Sequence, residues 1–130
     1  MKDTLLTVVK ALPAAAASAT TDTLDLGPNG GANLTGAELL ISFPALTALV
    51  DTKKVTVTVR DSADDSTFAD VVGYGNLILT GAGGAGAAAK DFPLRIHDFV
   101  RQYVRIKVDV ETGGGDNTAK SVTCAIVYPA

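Results

Sequence analysis

The feature that most constrains this chain is a period of two in its apolar residues, repeated in segment after segment. In Val55-Thr56-Val57-Thr58-Val59-Arg60, three valines share one side of an extended chain and Thr, Thr and Arg share the other. Residues 102–111 repeat the arrangement, with Val104, Ile106, Val108 and Val110 on one side and Tyr103, Arg105, Lys107 and Asp109 on the other. Such strands cover a core with one face and meet water or a partner with the other. Near the C-terminus Val122, Cys124, Ile126 and Tyr128 alternate with Thr123, Ala125 and Val127, so both faces are fairly apolar, as in a central or covered strand. Shorter strands are predicted at 20–26, 38–43, 68–72, 76–80 and 90–96. Turn-forming runs separate them at 27–31, 61–66, 81–86 and 113–117. Helix is limited to a turn at 44–49 and another at 97–101, where Asp98 is a candidate cap. Alanine propensity is the only support for helix at 84–90, and the glycines before it predict a mobile loop. The expected fold is therefore all-β, a single-domain antiparallel β-sandwich or barrel of about eight strands.

The N-terminal segment reads differently. Residues 4–9 form a β-arm in which Leu5-Leu6 and Val8-Val9 are adjacent pairs, so both faces need cover, and a small-residue linker follows at 13–18. The expected organisation is an arm and linker over 1–18 and a sandwich over 19–130. The opening imitates a secretory signal, but Asp3, Thr7, Lys10 and Pro13 interrupt the apolar run that a signal requires, and no cleaved signal is expected. No run reaches 18 uninterrupted apolar residues, so no membrane span is expected either.

At 130 residues the chain is one domain in size. Scaling gives roughly 6,400 Å² of folded surface, about two-thirds of the unfolded surface being buried, so a core is attainable without staples. Composition narrows the function classes. Aromatic residues make up 5%, and there is one His, one Cys and no Trp, which removes most of the side chains from which active sites are made. A net charge of −3 is opposite to the footprint of a nucleic-acid binder. Cys124 cannot form an intrachain disulfide and, in an alternating strand, reads as a small buried hydrophobe before a reactive thiol.

Four groupings were weighed for chemistry. His97, between Arg95 and Asp98, is the one titrating candidate for acid–base work, but no nucleophile accompanies it, and ordinary hydrogen bonding is the preferred reading. The acidic loop 61–67 offers Asp61, Asp64 and Asp65, the ligand type that Ca²⁺ takes, yet lacks the EF-hand glycine and bidentate Glu. A solvated hairpin loop with local side-chain to backbone bonds fits it better. The glycine run 81–86 lacks the Gly-Lys-Ser/Thr of a phosphate cradle and reads as a flexible loop or one ordered by a partner. Arg101, Arg105 and Lys107 make a modest positive stripe with only Tyr103 as a stacking platform, so a salt-bridged face or protein interface is preferred to nucleic acid.

Several segments, in order, resemble the small jelly-roll capsid cement, or decoration, proteins of tailed bacteriophages, the Bordetella podophage type. Ala19-Thr20-Thr21-Asp22-Thr23-Leu24-Asp25-Leu26-Gly27 is similar to that family's N-terminal strand ending in a Leu-Gly turn. Residues 38–43 follow as an apolar strand, and 55–60 run into Asp61-Ser62-Ala63-Asp64-Asp65-Ser66-Thr67-Phe68, which resembles its strand, acidic turn and Phe. Arg101-Gln102-Tyr103-Val104-Arg105-Ile106 resembles its Arg-x-Tyr-hydrophobic-Arg strand. The likeness covers roughly residues 19–128; the N-terminal arm and the 81–89 loop do not align. It implies a jelly roll without enzymatic activity that binds the outer surface of the virion and bridges major capsid subunits, often as a dimer or trimer. No cofactor, metal, small-molecule substrate, nucleic acid or membrane is expected to take part. The expected capsid or oligomer contacts are Leu5, Leu6, Val8 and Val9 of the arm, Gly83 and Ala85 of the loop, and Tyr103 and Arg105 of the outward strand face. A carbohydrate or host-surface binding module is the competing reading, since jelly rolls host lectin sites, although a chain with three Tyr, four Phe and no Trp is sparsely equipped for it. Another minor virion component is a further alternative.

Overall fold

The computed structural model describes residues 2–28, 30–34, 36–71, 73, 74 and 77–127, with side chains for all but 2–6, 32 and 33. Ten antiparallel strands are formed: β1 (Lys2–Ala11), β2 (Ser18–Thr20), β3 (Leu24–Asp25), β4 (Glu38–Phe43), β5 (Lys54–Ser62), β6 (Ala69–Asp70), β7 (Leu77–Thr80), β8 (Lys90–Arg95), β9 (Tyr103–Val110) and β10 (Ser121–Val127). Helix among the described residues is limited to a 3₁₀ turn at Gly30–Asn33, and no helix is long and apolar enough to cross a membrane. Tyr128, Val72 and Asn76, expected at strand ends, lie outside the described residues.

The strands make two sheets, β1-β10-β4-β8 and β2-β9-β5-β6, with β3 also on β9 and β7 also on β5. β2 and β3 are one row interrupted by a bulge, where residues 21–23 of the row face residues 105 and 106 of β9. Thr21 causes the interruption: its hydroxyl accepts the Ile106 N–H at 3.1 Å, a bond that a ladder carbonyl would otherwise take. β6 and β7 likewise share one flank of β5. Counted this way the described residues form eight rows, in agreement with the number expected, and they pair first with eighth, second with seventh, third with sixth and fourth with fifth.

The period-two pattern becomes the two inner faces. Val55, Val57 and Val59 of β5 and Val104, Ile106, Val108 and Val110 of β9 are buried, as are Leu39, Ile41 and Phe43 of β4 and Val122, Cys124 and Ile126 of β10. Branched aliphatic side chains suit a half-buried pleat, and facing sheets bring them together as one core. Phe43 and Phe92 meet edge to face at 6.2 Å between centroids. The core leaves a cavity of only about 10 Å³, lined by Leu26, Tyr74 and Ile126 among others, which excludes a buried ligand there.

The turns expected at 44–49 and 97–101 are single turns, and the expectation of a mobile loop at 81–89 is corrected. At 44–49 a single turn closes through Leu49 N–H to Leu46 C=O at 3.2 Å, and Leu46 also exchanges backbone hydrogen bonds with Ala87 across the loop, at 2.8 and 3.1 Å. At 97–101 a single turn closes through Val100 N–H to His97 C=O at 3.2 Å, and the Arg101 N–H is diverted to the Asp61 carboxylate at 3.0 Å. The glycine-rich segment 81–89 is tied to its own chain: Gly84 N–H donates to Asp51 Oδ1 at 2.9 Å and Thr52 N–H to Gly81 C=O at 2.9 Å. Gly86 must be glycine there, since its φ is +74° and an added Cβ would lie 2.0 Å from the Leu46 carbonyl oxygen. The segment read as an arm is the edge strand of the four-stranded sheet. Its Val8 packs against the core and Leu12 just beyond it is 2% exposed, so removing residues 1–12 removes a row of the sheet.

Loops gather at two ends. Residues 12–17, 44–53, 81–89 and 111–120 meet at one, through Leu12 N–H to Lys120 C=O and Val50 N–H to Gly114 C=O. Residues 26–28, 30, 31 and 96–102 meet at the other, through Leu26 N–H to Gln102 C=O and Gly31 N–H to Val100 C=O.

Ile41→Ala, at a site with 0% exposure, is expected to lower unfolding free energy by about 2–5 kcal/mol in a denaturant titration. Gly86→Ala is expected to cost more than Gly27→Ala, because Gly27 shares the positive φ but has no atom within 4 Å of the added methyl. Equal losses would contradict the packing described for the 81–89 loop.

Candidate functional site

The residues singled out by sequence lie on three separate surfaces. Tyr103 and Arg105 project from the outer face of β9, both half-buried. Arg105 stacks its guanidinium 4.2 Å from the Phe68 ring centroid, donates through Nε to Thr23 Oγ1 at 3.0 Å, and has Nη2 3.8 Å from Asp65. Thr23 in turn donates to Asp65 Oδ1 at 2.9 Å, which links the β2–β3 row to the acidic loop. Lys107 lies 4.0 Å from Asp109, which also accepts from the Ser18 hydroxyl, and Arg60 pairs with Asp70 at 3.1 Å. Arg60, Arg105 and Lys107 of this face thus each have a carboxylate, a salt-bridged sheet face in preference to a free basic stripe.

Val8 and Val9 lie on β1 in the other sheet, where Val9 points away from the core at 61% exposure; the side chains of Leu5 and Leu6 lie outside the described residues. Val9 opens a row that continues through Thr123 and Ser42 to Asp91, a second row runs Thr7, Ala125, Leu40 and Pro93, and a third runs Val127, Glu38 and Arg95. The part of this outer face around Val9, formed by Thr7, Thr123, Ser42, Ala125 and Leu40, carries no charge, and Asp91, Glu38 and Arg95 lie toward its far side on β4 and β8. Gly83 and Ala85 are exposed at the tip of the 81–86 turn.

The acidic loop separates its carboxylates. Asp61 is buried and receives Arg101 Nε at 3.1 Å, Arg101 Nη2 at 2.8 Å and the Arg101 backbone N–H at 3.0 Å. Asp64 folds back on its own turn, accepting from Thr67 N–H at 3.0 Å, the Ser62 hydroxyl at 2.7 Å and Ser66 N–H at 3.0 Å. Those donors, Thr67 foremost, hold its carboxyl down at about 2. Asp65 turns outward to Thr23 and Arg105. Among the described residues no three His, Cys, Asp or Glu side chains gather as a metal site. Burial pushes the Cys124 thiol up to about 12, the state of a small buried hydrophobe.

One arrangement was not visible in the sequence. Tyr74 lies on His97, with rings 5.2 Å apart at 30°, and His97 stacks on Phe99 at 5.0 Å and 8°. Tyr74 donates its hydroxyl to Arg95 C=O at 2.8 Å, and desolvation keeps that phenol protonated by raising its pKa. The adjacency of His97 and Phe99 was the sole local signal; the contact with Tyr74 depends on a loop path that no periodicity encodes.

No protein-family model matches the chain, and no curated protein matches it in sequence.

Asp64 contributes stability that is present above its unfolded value of 3.8 and lost as pH falls toward 2, because its folded value is the lower one. Asp64→Ala should therefore melt below wild type at neutral pH, with the gap closing between about pH 4 and pH 2 in thermal melts. Arg101→Ala should cost about 1.5–3 kcal/mol by stripping side-chain donors from the buried Asp61 carboxylate, and Arg101→Lys should restore only part, since an ammonium cannot reproduce the fork.

Proposed function

We propose that the chain is a jelly-roll structural protein of a bacteriophage virion, binding the outside of the capsid and stabilising the shell by bridging neighbouring major capsid subunits. The observation that carries this reading is the pairing of eight rows first to last, second to seventh, third to sixth and fourth to fifth. A long antiparallel hairpin wound over itself into two sheets has that pairing, and it is what the jelly roll implied by the sequence resemblance requires.

The surface suits a passive binder. At 6601 Å² of accessible area, a standard interface of about 800 Å² takes roughly one-eighth of the molecule, leaving room for several neighbours. The face of the four-stranded sheet around Val9 has the low charge of an interface centre and is the surface we assign to the shell. The net charge of −3 favours a place away from packaged DNA. If the protein binds the expanded lattice and not its precursor, occupancy at about 100 times Kd stabilises that state by about 2.7 kcal/mol per site. Association of the chain with itself, as dimer or trimer, belongs to the same reading.

Quantitative mass spectrometry of purified particles of the encoding phage should find a copy number close to that of the major capsid protein; a handful of copies per particle would place the chain at a tail or vertex instead. Val9→Glu should reduce occupancy on those particles about tenfold with little change in melting temperature. Undiminished occupancy would remove this face from the contact.

A further inference from the structure

Three large apolar side chains are strongly exposed among the described residues, Val9, Val50 and Phe99, and of these Phe99 alone presents an aromatic ring. Its ring is 55% exposed and is the outer member of the Tyr74–His97–Phe99 stack. Tyr74, the inner member, packs against the core and is held by its hydroxyl bond to Arg95 C=O. One face of Phe99 is therefore backed by His97 on a fixed support, so little freedom is lost when a ligand covers the rest.

The surroundings select the ligand. A surface groove of about 360 Å³ runs beside the ring, lined also by Asp98, Arg101 and Gln102. A second, of about 290 Å³, continues past Asp98 to Arg95 and His97. Asp98 lines both grooves and Arg95 the second, and among the described residues neither side chain has an ion-pair or hydrogen-bond partner. Gln102 already donates its amide nitrogen to Asp25 at 3.0 Å, which leaves its carbonyl oxygen to accept. An apolar peptide anchor would leave this polar rim desolvated and unpaired. A cation, which an open ring and Asp98 attract, is opposed by Arg95, and an anion is attracted by Arg95 and opposed by Asp98, while Arg101 is already paired with Asp61, so the balance favours a neutral polar ligand. A flat apolar patch ringed by acceptors and donors matches a sugar ring, whose C–H face is apolar and whose hydroxyls both donate and accept.

We infer that this groove binds a neutral hexopyranose, seated with its C–H face on Phe99 and its hydroxyls bonded to Asp98 and the Gln102 carbonyl. Such a site is independent of whether the chain sits on a shell, and capsid binding can fail without affecting it.

The test is an NMR titration of the isotope-labelled full chain with the methyl glycosides of glucose, galactose, mannose and N-acetylglucosamine. At least one should shift the Phe99 and His97 ring resonances saturably, and Phe99→Ala should weaken that binding about tenfold while Phe99→Tyr retains it. Asp98→Asn, exposed and without a structural partner, provides a second variant and should also bind more weakly. The inference is overturned if none of the four sugars shifts the Phe99 ring saturably, or if both Phe99→Ala and Asp98→Asn bind as wild type does.

Discussion

Val55, Val57 and Val59 of β5 face Val110, Val108 and Ile106 of β9 across the middle of the six-stranded sheet, and the other rows take their places from that pairing. The ladder runs from Val55 with Val110 to Ser62 with Tyr103, joining the fourth row of the chain to the seventh. A slip of one residue would turn all these branched side chains to solvent and bring Thr56, Thr58, Arg105 and Lys107 into the core, so the register is strongly specified. With β5 and β9 joined, β2–β3 and β6–β7 have one free flank each, and the four-stranded sheet has a single apolar surface to cover. Asp61 and Arg101 fasten one end of this ladder, where the buried carboxylate binds the loop that enters β9.

The inner faces were legible because alternation is a direct record of which side is dry. Glu38–Phe43 was predicted with the boundaries it has, and β5 and β9 differ by one or two residues at their ends. What escaped prediction depends on partners distant in sequence. The strand expected at 20–26 breaks because the Thr21 hydroxyl competes for the Ile106 N–H, a preference that Thr expresses only when that amide is in reach. The glycine-rich loop was read from composition as mobile, whereas its glycines allow close backbone approach to Leu46 and Val50. The arm alternated poorly because its two valines divide, Val8 packing against the core and Val9 facing out.

Site residues were legible in part. Tyr103 and Arg105 project outward as their spacing required, but Arg105 is engaged by Phe68, Thr23 and Asp65, contacts that make it part of the fold's own electrostatics. The three carboxylates of 61–67 appear adjacent in sequence and are drawn apart by Arg101, by the loop backbone and by Thr23. The aromatic stack has the opposite history: sparse aromatic content argued against any platform, yet folding places two of those few rings on either side of the one histidine. Composition bounds how many such sites a chain can build, while topology decides whether the few residues available meet.

We propose that this sandwich acts by occupying the outside of a shell, with the uncharged Val9 side of the four-stranded sheet against it. A density map of the intact particle tests it most directly. The account predicts the ten-strand sandwich on the outer surface, bridging adjacent major capsid subunits, with Val9 inside the contact and the Arg105 face exposed. A shell bare of that density, or the sandwich found only at the tail or inside the capsid, would contradict it.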